Sequence, residues 1–199
     1  MGHRATPKHE KAASPMPFFP SMPEDALVKD VYPLNPKSFR AWCEVEEAIM
    51  RWPSAFTPGE RELMGAYCSK LNECTYCFSS HAVAATYLGA DASLIQGLID
   101  DIDNSPIEEK FKPVFRFLKK LTLTPARMTQ ADADAVYAAG WDEKALHDVV
   151  MVSACYAFMN RLADGHGLPS DPTLFDARGK RHAEEGYVGQ YAGETAGEG

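Results

Sequence analysis

The chain has 199 residues, 45% of them hydrophobic and 24% charged, the balance of an ordinary soluble globular domain with a sizeable core. A net charge of −8 leaves no basic surplus to displace counterions from phosphate, which argues against a nucleic-acid partner. The longest apolar stretch, 149–159, is interrupted by Ser153 and is too short to cross a bilayer, so no membrane partner is expected.

The start of the chain carries charge and proline where a secretory signal needs an apolar run, so no export is expected. Residues 1–36 hold Pro15, Pro17, Pro20, Pro23, Pro33 and Pro36. Such a segment cannot sustain a long helix. It is expected to run extended over the surface or onto a partner subunit, with 1–13 disordered. Residues 38–50 then place Phe39, Trp42, Val45, Ala48 and Ile49 on one helical stripe. Thr57-Pro58-Gly59-Glu60 is a capping box with proline at the first helical position, and it opens a helix to about Leu71. A second helix follows almost at once over 75–88, closed by Gly89.

Asp91 caps a short helix to Ile99. Ser105-Pro106 begins a pattern with Phe111, Val114, Phe115, Leu118 and Leu121, in which Pro113 either makes a kink or marks the true start. Thr129 and Asp142 cap helices over 130–139 and 143–163. The latter is apolar on nearly all sides from 149 to 159, as a central buried helix should be. From Phe175 to Gly199 the chain has six glycines and few aliphatic residues. No alternating strand pattern and no internal repeat appears. The expected class is all-α: an extended segment over 1–36, a compact helical bundle over 37–174, and a flexible tail or inter-subunit arm over 175–199.

Five cysteines is an odd count, and Cys43, Cys68 and Cys155 sit inside apolar helical patterns as buried free thiols do. Only Cys74 and Cys77 form a local pair. This usage suits a reducing compartment, hence a cytoplasmic location, where a close pair signals redox chemistry or metal. Cys74-Thr75-Tyr76-Cys77 falls where one helix ends and the next begins, and residues four apart share a helix face, so Cys77 and His81 are neighbours. The helix start supplies unpaired N–H groups and a positive dipole end, both of which favour thiolate, and the imidazole can take the proton. Glu62, twelve residues before Cys74, reaches His81 if the two helices pack as a hairpin. Together these residues form a peroxidatic or disulfide-exchange device. Zinc is the rival: Cys74, Cys77 and His81 give three ligands and Glu62 a possible fourth, but no second cysteine pair exists, so no metal is assigned.

Glu62, the CxxC from Cys74 to Cys77, and His81 resemble the E…CxxCxxxH signature of the alkylhydroperoxidase D-like and carboxymuconolactone decarboxylase superfamily. The flanking Thr57-Pro58-Gly59-Glu60-Arg61-Glu62 and Asn160-Arg161-Leu162-Ala163-Asp164 are similar to its peroxidase-related subgroup. The resemblance implies an all-helical fold, homo-oligomers (trimers or hexamers, with a dimer possible), and a hydroperoxide-reducing dithiol with no metal, haem or other cofactor. It implies Cys77 as the attacking thiolate, Cys74 as proton donor and resolving thiol, and His81 with Glu62 as the proton relay, with an external dithiol as reductant. In one respect the chain departs: the best-studied members of the family carry a second histidine just before the attacking cysteine, where this chain has Tyr76. Two rivals stand beside the peroxidase: a dithiol sensor or oligomer with little catalysis, and a carboxymuconolactone-type lyase, a branch that needs no CxxC.

Overall fold

The computed structural model describes residues 16–189, and among them every regular element is helical. The helices are α1 (Pro36–Arg51), α2 (Pro58–Leu71), α3 (Thr75–Tyr87), α4 (Leu94–Asp100), α5 (Lys112–Leu123), α6 (Gln130–Ala138), α7 (Glu143–His166) and α8 (Phe175–Gly189). The all-α expectation holds. None of these helices is long and apolar enough to cross a membrane.

The ends of α2 form as its sequence dictates. Thr57 Oγ1 accepts from the Glu60 amide at 3.2 Å, and Glu60 Oε2 accepts from the Thr57 amide at 2.7 Å. At the far end Glu73 takes a left-handed backbone (φ 60°) and turns the chain directly into α3. The short link lays α3 against α2. α3 packs most extensively on α2 and α8, while α7 runs across α2, α5 and α1. Tyr67, Phe115, Met64, Leu118 and Tyr156 fill the space between them and are all fully buried. Pro113 marks the start of α5, in whose first turn a missing N–H costs nothing.

Four expectations need amendment. The buried stripe of α1 is Phe39, Cys43, Glu46 and Met50, rotated from the expected one, so that Val45 faces outward and Glu46 inward. Helix α7 is not covered on all sides: Val150 and Phe158 stay exposed, with Phe158 stacked on Trp42 at 3.9 Å between centroids. The proline-rich segment returns to its own bundle within the described residues. It winds a 3-10 helix over Val28–Leu34 and buries Ala26, Val28, Val31 and Tyr32. The expected disorder of 1–13 lies outside the described residues. Lastly, Phe175–Gly189 is neither tail nor arm here but a helix packed on α3, and 190–199 lie outside the described residues. Its glycines permit that packing. A Cβ on Gly179 would sit 2.4 Å from Val83 Cβ, and Gly186 (φ 66°, ψ −155°) adopts a conformation that is essentially glycine-only. At the kink Glu47 of α1 accepts the Tyr187 amide at 2.6 Å, which fixes the end of α8 over α1.

Candidate active site

Helix α3 opens at Cys74, whose extended backbone makes it the N-cap and whose amide donates to the Ser69 carbonyl at 3.0 Å. Cys77 lies in the first turn and His81 one turn further on the same face, both almost fully buried. Cys74 and Cys77 are free thiols that interact directly. Hydrogen bonding with Cys77, followed by burial, raises the Cys74 pKa well above that of an ordinary cysteine, so Cys74 stays a thiol.

Across from this face Glu62 of α2 is completely buried, a position tolerable for a carboxylate only with partners. It has three. Arg51 of α1 donates to Oε1 at 2.6 Å, the Tyr187 hydroxyl of α8 donates to Oε1 at 2.7 Å, and His81 Nδ1 lies 2.7 Å from Oε2. Burial alone would raise the Glu62 pKa, but the His81 hydrogen bond and the charges of His81 and Arg51 outweigh it and hold the carboxyl at about 2. An ionised carboxylate can only accept, so Nδ1 of His81 carries a proton directed at Glu62. The Tyr156 hydroxyl lies 2.9 Å from the same Nδ1 and 3.4 Å from the Tyr187 hydroxyl. Burial pushes both phenols well above their usual pKa, so both remain donors.

On its open side this cluster borders a cavity of about 70 Å³, lined by Cys77, His81, Glu46 and His182 together with Phe39, Trp42 and Met159. His182 of α8 stacks on the His81 ring with centroids 5.0 Å apart. Burial first, and then neighbouring His81, hold its pKa well below the usual imidazole value, so it is neutral near pH 7. Its carbonyl accepts from Arg51 at 2.8 Å. Cys74 borders a different space, an open cleft of about 490 Å³ shaped by Lys70, Glu73, Thr75, Phe78 and Ile99. The two sulfurs of the pair thus sit between an enclosed cavity on one side and an open cleft on the other.

Tyr76, where the sequence resemblance leads to the expectation of a histidine, accepts the Val28 amide on its hydroxyl at 2.8 Å. Its ring lies beneath the Arg178 guanidinium at 3.6 Å, and burial raises its pKa to about 12. Tyr76 therefore anchors the N-terminal segment. Asn160 donates to Ser69 Oγ at 3.0 Å and accepts from Asn72 at 2.8 Å, a tie between α7 and α2. Cys43, Cys68 and Cys155 are buried in the core. Among the described residues, no group of three or more His, Cys, Asp and Glu side chains is arranged to hold a metal ion.

The conjunction of Glu62 with His81 beside a CxxC lies wholly within a stretch that a known family pattern covers. Residues 36–102 match the model of the carboxymuconolactone decarboxylase family. That segment spans α1 to α4 and so includes Glu46, Arg51, Glu62, Cys74, Cys77 and His81, whereas Tyr156, His182 and Tyr187 lie beyond it. Beyond residues 36–102 the fold is still similar to that of solved structures. A peroxidase-related protein from Silicibacter sp. TM1040 is similar at a TM-score of 0.67 and 22% identity, over 76% of this chain and 78% of that one. A peroxidase-related protein from Ralstonia eutropha JMP134, described as an alkylhydroperoxidase AhpD core, gives 0.69 and 20%, over 84% of this chain and 98% of that one. Both are described as uncharacterized, and at such identity the likeness establishes the fold. No curated protein matches the chain.

Sequence reasoning placed Glu62, Cys74, Cys77 and His81 together, and they are together. It missed Glu46, Arg51, Tyr156, His182 and Tyr187. Glu46 had a signal, a charged residue in register with Phe39, Cys43 and Met50. The others arrive from α1, α7 and α8, with no local pattern to mark them.

Proposed function

We propose that the protein is a thiol-dependent hydroperoxide reductase. The observation that carries this reading is the 2.7 Å contact between buried Glu62 and His81, one helical turn from Cys77, at a cavity into which a small peroxide can enter. Cys77 gives its proton to His81 Nε2, with Glu62 fixing the ring and stabilising the imidazolium. The thiolate attacks the terminal peroxide oxygen. The O–O bond breaks, an S–O bond forms, the alcohol leaves with one proton, and Cys77 becomes a sulfenic acid. The Cys74 thiol then attacks that sulfur, water departs, and a Cys74–Cys77 disulfide forms. An external dithiol entering the cleft beside Cys74 returns both sulfurs to thiols by two exchange steps and is itself oxidised to a disulfide. Assembly into homo-oligomers is part of the same reading.

The test is mass spectrometry of the reduced protein after one equivalent of cumene hydroperoxide. The peptide holding Cys74 and Cys77 should lose two hydrogens, Cys74→Ser should stop at a dimedone-reactive sulfenic acid on Cys77, and Cys77→Ser should consume no peroxide. Oxidation centred on Cys43, Cys68 or Cys155 would refute the reading. Disulfide formation without turnover in excess dithiothreitol would favour a sensor instead.

A further inference from the structure

Glu46 is a titratable group at the cavity to which the two-cysteine cycle assigns no task. It lies on the inward face of α1, 4% exposed, and borders the cavity together with Cys77 and His81. Cys155 Sγ stands 3.9 Å from its Oε1, a weak contact, and the adjacent cation Arg51 is engaged by Glu62. Burial first, and then the negative charge of Glu62, raise its pKa to about 8, so near neutrality it holds a proton beside the peroxide's path.

The chemistry has an opening for such a proton. Attack on the terminal oxygen expels an alkoxide, or a hydroxide from hydrogen peroxide, and so basic a leaving group departs readily only if it is protonated as the O–O bond breaks. His81 takes up the Cys77 proton as the thiolate forms and its Nδ1–H is bound to Glu62, while Glu46 borders the same cavity as a second proton source.

We propose that Glu46 is the general acid of the peroxide step, delivering its proton to the departing oxygen; the proposal rests on the peroxidase reading above. The Cys77 thiolate is oxidised by two electrons to the sulfenic acid, the peroxide is reduced to the alcohol, and the Glu46 carboxyl becomes a carboxylate. The imidazolium of His81, which holds the proton from Cys77, returns it across the cavity to Glu46. No external acid is consumed.

The test varies the leaving group. Single-turnover oxidation of reduced wild-type protein and of Glu46→Gln is followed with tert-butyl hydroperoxide, which expels an alkoxide, and with peracetic acid, which expels acetate. Glu46→Gln is expected to slow the first reaction by about 10²-fold and to leave the second within about a factor of two, because acetate needs no proton to depart. Alkylation of Cys77 by iodoacetamide, which expels iodide, should be unchanged, and Glu46→Asp should recover part of the loss. Equal slowing with both oxidants would make Glu46 a structural residue and overturn the proposal, as would no slowing with either. If Glu46→Gln does not fold, Glu46→Met must give the same contrast between oxidants. Wild-type protein inert to both oxidants would refute the peroxidase reading itself, an outcome distinct from a failure of Glu46 alone.

Discussion

The Tyr187 hydroxyl donates a 2.7 Å hydrogen bond to Glu62 across 125 positions of sequence, so the last helix of the described chain completes the shell of a carboxylate on the second. Glu62 Oε1 thereby receives donors from both α1 and α8, and Oε2 is left to His81. Removing the hydroxyl with Tyr187→Phe keeps the ring and deletes a bond to a charged group. The expected loss is about 1.5–3 kcal/mol, read as a lower urea midpoint with an unchanged slope. A midpoint equal to that of the wild type would mean that Glu62 does not depend on α8.

Glu62 gives stability a defined acid limb. Its pKa is depressed to about 2 in the folded protein against 4.5 as the unperturbed value, so its contribution is present above about 4.5 and is lost as pH falls towards 2. The contribution is on the order of 3 kcal/mol. Glu62→Gln should abolish this limb. It should also destabilise at neutral pH by about 3–5 kcal/mol, because the largely buried Arg51 loses its counter-charge. Urea unfolding of both proteins from pH 2.5 to 7 would show it, and parallel curves would count against the assignment.

Glu46 acts in the opposite sense. Its folded pKa of about 8 exceeds the unperturbed 4.5, so the neutral carboxyl's contribution is complete below about 4.5 and is lost as pH rises through 8. The groups acting on it are Glu62 on α2, Arg51 and Glu47 on α1, and Cys155 on α7. In Glu46→Gln nothing ionises at this position. The variant should therefore gain on the wild type as pH climbs from 5 to 9, by roughly 3–5 kcal/mol at the alkaline end. A stability difference that does not vary with pH would show that Glu46 is ionised throughout.

The placement of the two sulfurs predicts the order of reduction. Cys74 borders the open cleft and Cys77 the enclosed cavity, so an incoming thiolate should attack Cys74 and release Cys77 beside His81. Brief exposure of the oxidised protein to glutathione, followed by an N-ethylmaleimide quench, should put glutathione on Cys74 and maleimide on Cys77. The reverse labelling would place reductant entry on the cavity side.

Much of this molecule is written in short-range pattern. The Thr57–Glu60 capping box, Asp142 at the start of α7, and Gly89 beyond α3 each govern a few neighbouring dihedrals, and each behaves as its residues require. The Cys77–His81 neighbourhood follows from helical repeat alone. Glu62 could be placed because the link between α2 and α3 is too short to let the helices part.

Long-range packing supplied what was not legible. The stripe on α1 is turned so that Glu46 faces an interior cavity, and its one mark in the sequence is the register it shares with Phe39, Cys43 and Met50. The glycine-rich residues after Phe175 look like a tail because their helix has little local drive. They are held by contacts with distant partners, Gly179 against α3, the Tyr187 amide on Glu47 and the Tyr187 hydroxyl on Glu62. Local propensity and spacing are properties of a few consecutive residues and survive without a fold; the electrostatic shell of a buried carboxylate exists only once four separate helices have excluded water around it. Sequence therefore sufficed for helices α1 to α7 and for the Cys74, Cys77 and His81 constellation. Packing alone brought Arg51, Tyr156, His182 and Tyr187 to it.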